Sequence, residues 1–142
     1  MPVTIEKLAF LSPEDSDAIA KIQAECDAPF CYMALEDYIK DQEKVLFGAR
    51  FNSKIIAILA VEIIDSVDWI RFFSVRKITR RRGVASDFFR LFQAQTSNSI
   101  RIIPLQDEEL LAFFQAIHFD KSQAEFWELL PKPAGNDANS IY

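Results

Sequence analysis

Between residues 45 and 75 the chain has room for little except strands. Val45-Leu46-Phe47-Gly48-Ala49-Arg50-Phe51 is an apolar, strand-forming run, Asn52-Ser53 is a two-residue corner, and residues 54–64 form a long second run. Asp65-Ser66 makes another corner, and residues 69–75 a third run. Connections this short join antiparallel neighbours, and Asn tolerates the positive φ that a tight corner requires. The segment therefore predicts a three-stranded antiparallel meander.

Helical patterns flank it. Ser12-Pro13-Glu14-Asp15 reads as a helix start, with Ser12 as N-cap, Pro13 in the first turn and Asp15 as the acidic member of a capping box. That helix runs to about Glu25 and buries Ile19, Ile22 and Ala18. Residues 26–33 read as a loop, and Leu35, Tyr38 and Ile39 share one face of a short helix over 35–43. After the meander, Val84, Phe88, Leu91 and Phe92 mark a third helix, and residues 100–103 a short strand closed by Pro104. Residues 107–117 form a last helix with Leu110, Leu111, Phe113 and Phe114 on its apolar face, and residues 126–130 a last strand. The order is α-α-β-β-β-α-β-α-β, an α+β class with a central mixed, mostly antiparallel sheet flanked by helices. Residues 1–130 are expected to form one domain, and residues 131–142, with two prolines and no apolar period, a disordered tail.

Composition narrows the function. Half of the 142 residues are apolar, enough for a real core. The longest apolar run, residues 55–61, is far below the roughly 20 residues of a membrane helix, and the first residues carry no signal-peptide pattern. A cytoplasmic protein with no membrane attachment is expected. Two cysteines, Cys26 and Cys31, and one histidine do not supply a disulfide scaffold or a four-ligand zinc site, so no metal is expected. In a cytoplasmic protein both thiols are expected reduced. The net charge of −5 weighs against nucleic acid. Against that acidic background, Arg76, Lys77, Arg80, Arg81 and Arg82 concentrate positive charge in seven residues, which suits a local anion site.

Only Gly48 and Gly83 precede Pro131. Gly83 lies between the third run with its basic loop and the first turn of an apolar helix, a position expected to exclude a Cβ. Backbone N–H groups at that helix N-terminus, aided by the helix dipole and by adjacent arginines, are suited to a phosphate or pyrophosphate.

The pattern Val75-x4-Arg80-x2-Gly83-x-Ala85, after a strand and opening a helix, resembles motif A of the GNAT acyltransferases, which wraps the pyrophosphate of acetyl-CoA. The order of elements around it is similar to the GNAT fold as a whole. The resemblance implies a base on the strand before the motif and a tyrosine near the last helix that protonates the leaving thiolate. Residues 69–75 contain no carboxylate, and Phe114 stands at the tyrosine position. Glu62 is a substitute base at best, read first as a surface charge, and His118 reads as structural. No catalytic residue is assigned.

Two segments carry a closer resemblance. Ala49-Arg50-Phe51-Asn52 and Val75-Arg76-Lys77-Ile78-Thr79-Arg80-Arg81-Arg82-Gly83-Val84 look like those of the PanZ (PanM) family, with weaker support from Phe113-x-Gln115-Ala116-Ile117-x-Phe119. The family comprises small GNAT-fold maturation and regulatory factors of aspartate α-decarboxylase. The resemblance implies binding of acetyl-CoA or CoA and docking on the decarboxylase, both precursor and mature enzyme. Docking promotes autocleavage of the precursor to its pyruvoyl form and links pantothenate and CoA synthesis to CoA. By position, Phe73, Ser74 and Val75 would line the pantetheine arm through backbone groups. Thr79, Arg80, Arg81, Arg82, Gly83, Val84, Ala85 and Ser86 would hold the pyrophosphate, and Arg50 and Asn52 would contact the decarboxylase. Ala85 stands for the second glycine of the motif, residues 105–108 depart from the family's segment, and His118 replaces a glycine. The alternative is an acetyl-CoA-dependent N-acetyltransferase acting on a small-molecule or protein amine.

Overall fold

The computed structural model describes residues 2–26, 35–80, 82–104, 108–121, 123 and 125–131. Six strands form one sheet in sequence order: β1 (Thr4–Lys7), β2 (Lys44–Phe51), β3 (Lys54–Ile64), β4 (Val67–Val75), β5 (Ser99–Ile102) and β6 (Trp127–Leu129). Every neighbouring pair is antiparallel except β4–β5, which is parallel because helix α2 (Val84–Gln95) crosses between them. The meander is as its sequence predicts. Asn52 and Ser53, with φ of 51° and 68°, and Asp65 and Ser66, with 52° and 62°, take the paired left-handed conformation of tight hairpins.

Helix α1 (Pro13–Ala24) begins where Ser12 predicts, with the Asp15 N–H donating to Ser12 Oγ at 3.1 Å. It lays Ile19 and Ile22 on one face of the sheet, where they join Leu35, Tyr38, Leu46, Ile58 and Phe72. The opposite face packs under α2 and α3 (Glu108–Ala116). Phenylalanine dominates that layer. Phe73, Phe88, Phe89, Phe113, Phe114 and Phe119 interlock with ring centroids 5.1–6.2 Å apart, stacked, tilted and edge-on.

Several expectations are corrected. β1 carries no alternating apolar pattern and is exposed along most of its length, so only its pairing with β2 defines it. The helix expected over 35–43 is a 3-10 turn at Leu35–Ile39. The Asp41 carboxylate caps the Glu43 N–H at 2.9 Å just beyond it, and the chain enters β2 at Lys44. Strand β4 starts at Val67, not 69, because Val67 pairs with Ile64 directly across the corner. Asp68 is thereby buried, and its carboxylate accepts from Thr96 Oγ1 at 2.6 Å and Asn98 Nδ2 at 2.9 Å. Cys26 is disulfide-bonded rather than reduced. The sequence holds one other cysteine, Cys31, which lies outside the described residues, as does the expected tail from 132 onward. Among the described residues no helix is long and apolar enough to cross a membrane.

Candidate functional site

Strands β4 and β5 part company halfway along. Their register runs from Val67↔Ser99 to Ile70↔Ile102 and stops, while β4 continues to Val75 against β3 alone. Pro104, which has no N–H, follows the point of departure. Beyond Ile70, β4 thus turns one backbone edge toward a partner that β5 no longer supplies. Phe73, Ser74 and Val75 are buried on this stretch. An unladdered edge beside buried side chains suits a ligand that itself carries amides.

The chain leaving that edge folds into a tight basic loop. The Thr79 N–H and Thr79 Oγ1 both donate to the Arg76 carbonyl, at 2.9 and 2.7 Å, and Thr79 is only 4% exposed. The Arg80 N–H reaches the Lys77 carbonyl at 3.2 Å and the Arg82 N–H the Thr79 carbonyl at 3.3 Å. Gly83 then caps α2 with φ +79°, ψ 3°, and contributes no side-chain cap. The first intrahelical bond is Asp87 N–H to the Gly83 carbonyl at 3.0 Å, so the N–H groups of Val84, Ala85 and Ser86 precede the helical ladder. The structure refines the reason for the glycine. A Cβ on Gly83 would meet nothing within 4 Å; its backbone conformation, rather than crowding, is what selects glycine.

Of the residues expected to bind a cofactor, the described ones form one continuous path. Phe73, Ser74 and Val75 lie on the stretch of β4 that β5 does not pair, Thr79, Arg80, Arg82 and Gly83 in the loop, and Val84, Ala85 and Ser86 in the first turn of α2. Arg81 lies outside the described residues. The loop also has an acidic neighbour that sequence reasoning missed. Glu25, the C-cap of α1, accepts from Arg76 Nε at 2.9 Å and from the Lys77 N–H at 2.8 Å, and its carbonyl accepts from Arg80 Nη2 at 3.3 Å. Partial burial pushes the Glu25 carboxyl upward, but the Lys77 N–H and the Arg76 guanidinium outweigh it and hold it below its ordinary value. No local pattern marks this contact, since the partners are 52 residues apart.

The hairpin corner between β2 and β3 separates its two candidate residues. Asn52 is exposed at the tip. Arg50 is half-buried, and its guanidinium is occupied within the chain: Nε pairs with Glu6, Nη1 and Nη2 with the two Asp15 oxygens at 3.1 and 3.0 Å, and Nη1 also with the Ser53 carbonyl at 3.1 Å. Those bonds raise the Arg50 pKa further, Asp15 first and Glu6 second, and the same Arg50 bond holds Asp15 below the usual carboxylate range.

The residues considered for acyl transfer are placed as follows. The Glu62 carboxylate accepts from Arg71 Nε at 3.1 Å in an ion pair. Phe114 is fully buried in the aromatic layer and carries no proton to give. His118 sits just past α3 at φ 74°, its N–H bonded to the Gln115 carbonyl at 3.0 Å, in the conformation a glycine takes at a helix end.

Comparison with known proteins gives the family and the fold. A family described as "Acetyltransferase (GNAT) domain, PanZ" matches residues 2–128. A protein named PanD regulatory factor from Salmonella typhimurium strain LT2 is 27% identical over 133 residues, covering 90% of this chain and 98% of its own. The solution structure of YhhK from E. coli, bound to coenzyme A, superposes with a TM-score of 0.70 at 26% identity, over 92% of this chain and 99% of that one. The ribosomal-protein-S18-alanine N-acetyltransferase from Escherichia coli superposes at 0.71 over 96% and 98% of the two chains; at 12% identity it shows the fold alone. The fold is that of the GNAT proteins, as the sequence predicts.

Proposed function

Because the chain belongs to the PanZ family of GNAT-type domains, we propose that it binds acetyl-CoA or CoA and acts as an adaptor for aspartate α-decarboxylase rather than as an acetyl-transfer enzyme. The observation that carries this reading is the unladdered β4 edge running straight into a Gly83-capped helix. Backbone groups of Phe73, Ser74 and Val75 offer an extended, amide-bearing pantetheine arm the pairing that β5 withholds. The N–H groups of Val84, Ala85 and Ser86 and the positive end of α2 receive the pyrophosphate, with Arg80, Arg81 and Arg82 supplying cations beside it.

Bound in this way, the thioester serves as a signal. Glu62 is held by Arg71, and the buried Phe114 ring supplies no acid for a departing thiolate. Asn52 at the exposed tip, presented by the Arg50 anchor, contacts the decarboxylase. Docking there favours the precursor conformation in which a serine attacks its preceding peptide bond, the step that leads to the pyruvoyl group. The relative named PanD regulatory factor supports this choice of partner, and YhhK, solved with coenzyme A, supports this choice of ligand. The cytoplasm, where decarboxylase and CoA pool meet, is the corresponding site of action.

Calorimetric titration with acetyl-CoA, followed by titration of the complex into the decarboxylase, tests the reading. Acetyl-CoA binding in the micromolar range together with stronger decarboxylase binding in its presence is expected. Release of free CoA on addition of amines, without decarboxylase binding, would instead establish an N-acetyltransferase.

A further inference from the structure

Helix α1 is tied at both ends, and each tie lands on a region that the proposed function uses. At its first turn Asp15 takes two hydrogen bonds from Arg50, which also holds the Ser53 carbonyl inside the hairpin corner. At its C-cap Glu25 takes the Arg76 guanidinium and the Lys77 N–H of the basic loop, while Arg80 reaches the Glu25 carbonyl. Between them lies an unbroken helix, about 15 Å along its axis from Asp15 to Glu25. Ile19 and Ile22 are buried beneath it. The sheet also joins corner and loop, with the Arg76 N–H donating to the Ile56 carbonyl at 2.8 Å, and α1 is a second link between the two.

Glu25 is also an anion seated against a loop suited to anions. A phosphate-bearing ligand at this loop competes for Arg80, which otherwise reaches the Glu25 carbonyl, and adds like charge beside the Glu25 carboxylate, so the hold of the loop on the end of α1 weakens as the ligand arrives. We infer that α1 is a relay: ligand binding at the basic loop releases Glu25, and the freed helix changes the grip of Asp15 and Arg50 on the corner that carries Asn52. The inference rests on the CoA-binding adaptor reading. Linkage fixes its sign, because an event that ligand binding promotes must in turn promote ligand binding. Removing the Glu25 charge therefore strengthens ligand binding. A Glu25 that merely positioned the loop would act in the opposite direction.

The test combines acetyl-CoA titration of wild type and Glu25→Gln with amide NMR of Lys77 and Thr79 in the loop and Asn52 and Ser53 in the corner. Glu25→Gln is expected to bind acetyl-CoA about twofold to fivefold tighter, the size of a half-exposed ion pair. Its corner resonances, without ligand, are expected near the positions of ligand-saturated wild type. Asp15→Asn, the second variant, is expected to keep the loop shifts and lose the corner shifts. Unchanged or weaker binding by Glu25→Gln overturns the relay, as do corner resonances that stay fixed while loop resonances move. Loop resonances that do not respond to acetyl-CoA in wild type overturn the CoA reading itself.

Discussion

Asp15 and Arg50 meet through two parallel hydrogen bonds of 3.0 and 3.1 Å that close 35 residues of chain. The contact fastens the start of α1 to the β2–β3 corner, and Glu6 of β1 adds a second carboxylate to the same guanidinium. Three elements remote in sequence are therefore fixed to one planar, permanently charged group.

The Asp15 carboxyl is held below its ordinary value chiefly by the Arg50 bond, with Glu25 shifted the same way by its own partners. A folded-state value below the unfolded one contributes stability above the unfolded pKa of about 4, and that stability is lost as pH falls through the folded value. Asp15→Asn is expected to cost about 1 kcal/mol near neutrality, and the difference from wild type is expected to close on acidification. Urea titrations at neutral and acidic pH measure both.

Gly83→Ala places a side chain in open space but at φ +79°. A loss of about 1 kcal/mol is expected from the backbone alone. The N–H groups of the first turn of α2 depend on that geometry, so acetyl-CoA affinity is expected to fall as well. Denaturation and calorimetry on the same variant separate the two effects.

His118 holds φ 74° with a β-carbon. His118→Gly is expected to stabilise the fold by about 0.5–1 kcal/mol, strain relief exceeding the added unfolded-state entropy. A rise in thermal midpoint with unchanged acetyl-CoA affinity is the expected result.

Replacing Arg81 and Arg82 together by alanine removes two of the cations proposed to hold the pyrophosphate. Acetyl-CoA affinity is expected to fall about tenfold, with a shallower salt dependence. Titration at two ionic strengths measures it, and unchanged affinity would move the pyrophosphate away from this loop.

Much of this was legible because local chemistry and global fold agree. The corners at Asn52-Ser53 and Asp65-Ser66, the Ser12 cap and the Val84–Phe88–Phe92 face each announce their element within a few residues. Strand β1 was not legible, because Thr4-Ile5-Glu6-Lys7 becomes a strand only by pairing with Phe47 to Arg50. The path from Phe73 through Gly83 to Ser86 could be read from the arginines, the glycine and the strand–helix change. The carboxylates behind it could not. Asp15 reads as a capping residue and Glu25 as the end of a helix, and nothing near either points to Arg50 or Lys77, 35 and 52 residues away. The exposed role expected for Arg50 misses the same contacts, since Glu6 and Asp15 reach it only through the sheet and α1.

The most direct measurement is intact-mass spectrometry of the unprocessed aspartate α-decarboxylase from the same organism, incubated with this protein, with and without acetyl-CoA. Cleavage of the precursor into two chains only when both protein and acetyl-CoA are present is the expected result. A precursor left whole by the acetyl-CoA-bound protein would contradict the adaptor function.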